Sequence, residues 1–312
     1  MKLINNTFLP KDDLMFKAIF GSEGSENILK SFIEATLDIN IKSLYLGNKE
    51  IINRPELREK EYLDVLAVLD NGEKVNIEIQ SKVTYDLEKR MLAYWAEQYV
   101  SSFRGVEKYN KLNKTYCIWI LDEVLIKETE EYHTMWRLSD AKFRLNNHFD
   151  DIEFHILELP KFREYAKIRL DETKISKLES WLSFIDYNNE EMIDMAVRTE
   201  EEINAAIEKY KELSQDEEMI QIYLSRKHRE SYEEAVREDM IADAKKEGME
   251  RGLEEGRKEG IKEGREEGRE EGREKGMHDS KILIAKKMIL NNYSIEEISE
   301  LTGLSFDEIK NI

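Results

Sequence analysis

The sequence predicts an α/β core, a mixed β-sheet flanked by helices, followed by an all-helical C-terminal region. Three observations predict it. The first part of the chain reads in the order helix, strand, strand, strand, helix, strand; after Pro160 the strand signals cease; and from Gly248 a glycine returns every fourth residue as far as Gly276.

The elements follow from local chemistry. Asp12 or Asp13 can N-cap a short helix through Phe20, with Gly21 as its stop, and a second helix runs from about Ser25 to Leu37 with Ile28, Leu29, Phe32 and Ile33 on one side. Ile41 to Leu46 reads as a strand. Beyond a loop holding Pro55, two runs, Tyr62 to Leu69 and Glu73 to Gln80, flank Asp70-Asn71-Gly72 and read as a β-hairpin. Apolar residues recur at helical spacing from Leu87 to about Phe103, with Gly105 beyond the expected end. Thr115 to Leu121 is an apolar run suited to a buried strand, and Tyr132 to Leu138 and Ile152 to Leu159 are strand-like.

These readings divide the chain into a core at 1–160, a helical region at 161–246, the glycine repeat at 247–278, charged and either helical or a linker, and a small helical tail at 279–312. Glu201 to Leu213 and Glu217 to Lys246 read as charged amphipathic helices. The tail has two S-x-x-E capping boxes, Ser294 to Glu297 and Ser305 to Glu308, around Gly303, an arrangement like a helix-turn-helix. Its Glu296, Glu297, Glu300, Asp307 and Glu308 would meet phosphates with the wrong sign, which favours a helical interaction module over DNA reading.

Composition bounds the function. A chain of 312 residues with 40% hydrophobic content can bury a full core. Cys117, the single cysteine, lies in the apolar run and is expected to be a buried structural thiol, consistent with a reducing cytoplasm. The N-terminal segment lacks the apolar stretch of a signal peptide, and no apolar run approaches the roughly 18 residues of a membrane span. A soluble cytoplasmic protein with no membrane partner is expected. The net charge of −19 argues against a general polyanion binder, but much of the acid lies late in the chain. Near the hairpin stand Lys74, Lys82, Lys89, Arg90, Arg104, Lys108, Lys111 and Lys114, and local charge decides which ligand a surface attracts.

Register decides whether the hairpin carries a site. A two-residue Asn71-Gly72 loop would set Asp64 opposite Ile79, whereas a three-residue loop with Gly72 left-handed sets Asp64 opposite Glu78. The second choice sorts polarity: Leu63, Val65, Ala67, Leu69, Val75, Ile77 and Ile79 share one face, and Lys60, Asp64, Asn76, Glu78 and Gln80 share the other. Two carboxylates across an antiparallel pair, with Cβ atoms about 5 Å apart, repel unless a cation lies between them. Oxygen ligands suit Mg²⁺ or Mn²⁺, and such an ion supports phosphodiester hydrolysis. The plainer alternative is the solvated polar face of an edge hairpin.

Asp64 followed by E-I-Q at Glu78 to Gln80 resembles the PD-(D/E)xK nuclease signature in its ExQ form. DDLMFKAIFG at residues 12–21, KEYLDVLAVLDNGEKVNIEIQ at 60–80, Arg90 with Tyr94, and the glycine-repeat tail resemble the Rpn family of recombination-promoting nucleases, or putative transposases. The resemblance covers nearly the whole chain. It implies a PD-(D/E)xK, restriction-endonuclease-like core and a Mg²⁺-dependent DNA endonuclease, with Asp64 and Glu78 as ligands and Gln80 assisting the attacking water. The usual lysine is replaced, and Gln80 can orient water but cannot stabilise hydroxide by charge. Lys60 and Lys82 are candidate replacements, or simply solvated. Glu26, preferred over Glu34, is the candidate helix carboxylate, or a favourable first-turn charge. Arg90 and Tyr94, one turn apart, can reach one phosphate or can serve packing.

His133, His148, His155, His228 and His278 show no ligand-like spacing, which argues against a zinc centre, and no nucleotide-binding glycine pattern appears. In the repeat each glycine costs a helix about 1 kcal/mol, and pairs such as Glu254/Arg257, Glu266/Arg269 and Glu270/Arg273 recover a few tenths each. A helical glycine stripe drifts about 40° per repeat, which excludes a regular left-handed coiled coil and leaves either a right-handed packing groove or a solvated linker. The expectation is a homo-oligomeric DNA endonuclease serving recombination, mobile elements or phage defence, with a non-cutting DNA- or protein-binding regulator as the alternative.

Overall fold

A single turn sets the pairing of the hairpin. Gly72 adopts φ +86°, its N–H donates to Leu69 O at 2.9 Å, and Leu69 N–H donates to Glu73 O at 2.9 Å, closing the three-residue loop Asp70-Asn71-Gly72. A Cβ at position 72 would run into the Asn113 side chain, whose amide donates to Gly72 O at 3.0 Å, so the site requires glycine for both conformation and space. Strand β2 (Val65–Leu69) therefore pairs antiparallel with β3 (Lys74–Gln80) in the expected register, Val65 opposite Ile77 and Ala67 opposite Val75.

The computed structural model describes residues 8–47, 65–101, 108–144, 148–168, 174–187 and 190–312. Among them a mixed sheet of six strands runs in the order β1-β2-β3-β4-β6-β5, with β1 at Leu44–Leu46, β4 at Thr115–Leu121, β5 at His133–Arg137 and β6 at Ile152–Glu158. β3, β4 and β6 are mutually parallel, while β1, β2 and β5 pair antiparallel with their neighbours. β3 is thus an interior strand, and the edge-hairpin alternative does not apply to it.

Alternation along the strands gives each face its own layer. Val65, Ala67, Leu69, Val75, Ile77, Ile79, Ile118 and Ile120 join one core with α1 (Asp13–Phe20), α2 (Glu26–Leu37), α5 (Lys177–Asp186) and α7 (Glu201–Leu213). Phe16, Phe20, Phe32, Trp181 and Phe184 form its aromatic centre. On the other face Leu87 and Met91 of α3 (Leu87–Ser101) cover Cys117, Trp119, Leu121, Phe154 and Ile156. Cys117 is a buried free thiol, as its apolar run implied.

The chain divides into two compact units, of which the first ends at Lys227. β6 passes directly into α4 (Leu159–Ile168), where Pro160 occupies the first turn, a place whose N–H has no helical partner anyway. Arg163 of α4 pairs with Asp186 of α5 at 2.6 Å and with Asp122 beyond β4, and Lys11 reaches Asp122 at 2.9 Å. α6 (Glu190–Thr199) and α7 add Met192, Ile193, Ile203, Ile207 and Tyr210 to the same core. Their charged outer faces hid this in the sequence. A Ser176/Glu179 capping box at the start of α5 is present and was not anticipated.

The second unit comprises His228–Ile312. Helix α8 (Glu217–Leu290) continues through the repeat, so residues 247–278 are helical and not a coil linker. α9 (Ile295–Thr302) and α10 (Phe306–Lys310) begin at the two expected capping boxes, and Gly303 ends α9 with φ +69°. Ile298, Leu304 and Ile309 pack on Ala285 of α8. No helix among the described residues is long and apolar enough to cross a membrane.

A chain ending at Lys227 is expected to retain a cooperative urea transition, whereas one ending at Pro160 loses it because α5 and α7 are gone from the helical layer over Ile77 and Ile118. Equal cooperativity in the two truncations, followed by tryptophan fluorescence, would place the boundary at 160.

Candidate functional site

Burial of Val75, Ile77 and Ile79 in the helical core turns the alternate residues of β3, Lys74, Asn76, Glu78 and Gln80, toward the layer of α3. Glu78 is only 2% exposed there. Gln80, at the end of the strand, is half-buried, and its Nε2 donates to Glu78 Oε2 at 3.4 Å, leaving the amide oxygen as a further oxygen donor. Taking an ionised carboxylate out of water costs several kcal/mol unless partners or a cation compensate it, so Glu78 is not an incidental surface acid.

Trp119 organises what lies over it. It is the parallel-register neighbour of Glu78 on β4, fully buried. The guanidinium carbon of Arg90 stands 5.9 Å from its ring centroid, and Tyr94 stacks on the same ring at 6.0 Å. The one-turn spacing of Arg90 and Tyr94 thus brings both to the strand position beside Glu78. Arg90 Nε and Nη2 are buried and have no hydrogen-bond partner among the described residues. Lys74 anchors α3 by donating from Nζ to Gln98 O at 3.2 Å and Ser101 Oγ at 2.8 Å, and Tyr99 donates to Asp151 Oδ2 at 2.7 Å. Trp119 was legible in the sequence only as part of an apolar run. The parallel pairing of β3 with β4, which links residues far apart in the chain, is the information that was missing.

Not every expected residue joins this group. Lys82 is exposed just past β3. Glu26 lies in the first turn of α2, on the layer that covers the opposite sheet face, where its charge acts on Lys209. Lys209 donates to Ser22 Oγ and Ser25 Oγ at 2.5 Å each. The structure does not bring Glu26 to Glu78, because α2 packs through Ile28, Leu29, Phe32 and Ile33 against the Ile77 side of β3. Asp64 and Lys60 lie outside the described residues. Among the described residues no three His, Cys, Asp or Glu side chains gather as a metal set.

A second polar group occupies the opposite sheet face near its edge. His133 Nε2 lies 2.8 Å from His155 Nδ1, and His155 Nε2 lies 2.8 Å from Glu153 Oε1. Arg137 Nε at 2.6 Å and Lys114 Nζ at 2.7 Å donate to Glu153 Oε2. Linear spacing concealed the histidine pair, which forms because β5 runs antiparallel to β6 with Met135 opposite His155. Burial pushes Glu153 up, but hydrogen bonds from His155, Arg137 and Lys114 outweigh it and hold the carboxyl well below its ordinary range. Burial, with His155 beside it, pulls His133 down to about 4 from 6.5.

The sign of the pH dependence follows. Between pH 6.5 and about 4 the unfolded chain binds a proton at position 133 that the folded chain does not, so stability falls as pH drops through that window. Glu153 acts in the same direction below its ordinary value, since there the unfolded chain takes up a proton that the folded carboxylate does not. His133→Asn is expected to flatten the loss between pH 6.5 and 4.5 by on the order of 2 kcal/mol, read from urea midpoints. An unchanged slope would remove His133 from the acid response.

A family model described as PD-(D/E)XK nuclease family transposase matches residues 10–240 of the 312. No curated protein and no solved structure matches the chain. The matched span holds the mixed sheet, the helices on both of its faces and the Glu78–Gln80 strand, and stops short of the glycine repeat. The fold implied by the hairpin motif is therefore the fold observed, and the chain belongs to the PD-(D/E)XK nuclease family transposases.

Proposed function

We propose that the protein is a Mg²⁺-dependent DNA endonuclease, with Mn²⁺ an alternative ion, whose centre consists of Asp64, Glu78 and Gln80. The observation that carries this reading is the buried Glu78 carboxylate in an interior strand, next to Trp119, over which stands an arginine with two buried nitrogens lacking partners among the described residues. The donor set fits a hard divalent cation: the Glu78 carboxylate and the Gln80 amide oxygen are oxygen ligands, and the expected register adds Asp64 opposite Glu78. Bound there, such an ion lowers the pKa of a water and offsets charge on the scissile phosphate.

The chain's own groups divide the remaining work. Glu78, held by the β3–β4 pairing, fixes one side of the centre. Gln80 orients the attacking water by hydrogen bonds and contributes no charge, so cationic support falls to Lys60 or Lys82. Arg90, aligned over Trp119, offers Nε and Nη2 as a fork to a phosphate, and the Tyr94 hydroxyl stands one turn away. The cytoplasm is the expected compartment, and association through the C-terminal helices would present more than one centre to a duplex. Recombination, mobile elements or phage defence are the settings.

Purified protein with Mg²⁺ or Mn²⁺ is expected to nick supercoiled plasmid, and Asp64→Ala or Glu78→Gln to reduce the rate by about 100-fold or more. Arg90→Ala should mainly raise KM for DNA. Nicking by Glu78→Gln equal to wild type would sink the metal-centre reading. Metal-independent DNA binding without cleavage by any variant would favour the regulator, a reading supported by the glutamine at position 80.

A further inference from the structure

The repeat divides α8 from Gly248 to Gly276 into four rows, which stand about 90° apart around the axis when the drift of each row is followed. One row is glycine. The row one residue later carries Arg257, Arg265, Arg269 and Arg273, together with exposed Met249, Leu253 and Ile261. The row one residue earlier carries Glu255, Glu259, Glu263, Glu267 and Glu271, bounded by Arg251 and Lys275, with Glu247 ahead of them. Between Gly256 and Gly272 the glycine face is therefore walled mainly by cations on one side and by anions on the other.

Taken alone, this is a poor helix. Each glycine costs about 1 kcal/mol relative to alanine. Arg265, Arg269 and Arg273 are like charges at i,i+4, as are the five glutamates, and such pairs destabilise a helix by a few tenths of a kcal/mol each. The ion pairs formed within the repeat are Lys258 with Glu254 at 2.7 Å and Arg251 with Glu247 at 3.4 Å, and the four arginines of the row take no part in them. An added Cβ at any of the eight glycines would meet nothing within 4 Å, so the face has no partner among the described residues.

We propose that this charged helix face docks on the same face of a second copy of the chain, with the two helices parallel. Symmetry decides the orientation. A two-fold axis along the helices brings the arginine row of each copy beside the glutamate row of the other, on both sides of the glycine contact. An axis perpendicular to the helices instead sets arginine against arginine and glutamate against glutamate. The same logic sets partner orientation through the flanking charges of coiled coils. The glycines allow close backbone approach, and a stripe of period four winds right-handed, in keeping with the crossing of about 40° at which small-residue helices pack. Met249, Leu253 and Ile261 would lose exposure at the same contact. The proposal rests on the reading that the chain associates through its C-terminal helices, and it specifies the face and the direction.

The full-length protein tests it by light scattering coupled to size exclusion. The wild type is expected to be dimeric or larger at micromolar concentration. Reversal of the four arginines to glutamate, or of the five glutamates to arginine, should each abolish association, and mixing the two reversed proteins should restore it and their helical circular dichroism. Gly252→Cys should form a disulfide with itself, because Cys117 is buried and facing residues carry the same number. A monomeric wild type, association indifferent to both reversals, absence of rescue on mixing, or crosslinking of Gly252→Cys to Gly272→Cys in place of itself would each overturn the proposal. None of these readouts uses plasmid cleavage, so this proposal and the nuclease reading fail separately.

Discussion

The left-handed conformation of Gly72, with the Asn113 amide pressed against it, closes a three-residue turn and so selects one of two possible pairings of β2 with β3. Slipping that pairing by one residue would exchange the faces of β2, sending Val65, Ala67 and Leu69 away from the core to which they contribute. The apolar penalty of the slip falls on several buried side chains at once, each worth about 1.5–3 kcal/mol, whereas the turn itself needs only one residue without a Cβ. Pairing, core and polar face are thus decided together. Glu78 is held toward α3 because its neighbours Ile77 and Ile79 are held toward the helical layer.

This coupling explains what the sequence could reveal. Period-two alternation and a D-N-G turn are local signals, and they yielded the hairpin, its register and the polar row ending at Gln80. β4 and α7 were legible to the residue, because one is an unbroken apolar run and the other is a bounded amphipathic repeat. What was not legible depends on pairings between distant segments. Trp119 acquires its place beside Glu78 through parallel pairing, His133 meets His155 through an antiparallel one, and α4 to α7 join the core through faces whose outer sides are charged. Glu26 illustrates the converse: position near a helix start suggested a ligand, but the apolar stripe of α2 commits that helix to the other side of the sheet.

The acidic excess of the chain also gains a physical meaning. It is spread over the whole chain, and α8 contributes little of it, because acids and bases nearly balance along that helix and are arranged in rows of opposite sign. A nuclease-like domain joined to an ordered charged helix separates the chemistry at the sheet from the interactions of the tail.

In the proposed centre the hairpin register makes Glu78 a ligand of a divalent ion. Mn²⁺ binding, followed by the electron paramagnetic resonance signal of free Mn²⁺ at neutral pH, tests it without reference to cleavage. The wild type is expected to bind, and Glu78→Gln, which keeps the size of the side chain and removes its charge, to lose affinity by about tenfold or more, a difference of about 1.4 kcal/mol. Equal Mn²⁺ binding by the two proteins, with their urea midpoints unchanged, would contradict it.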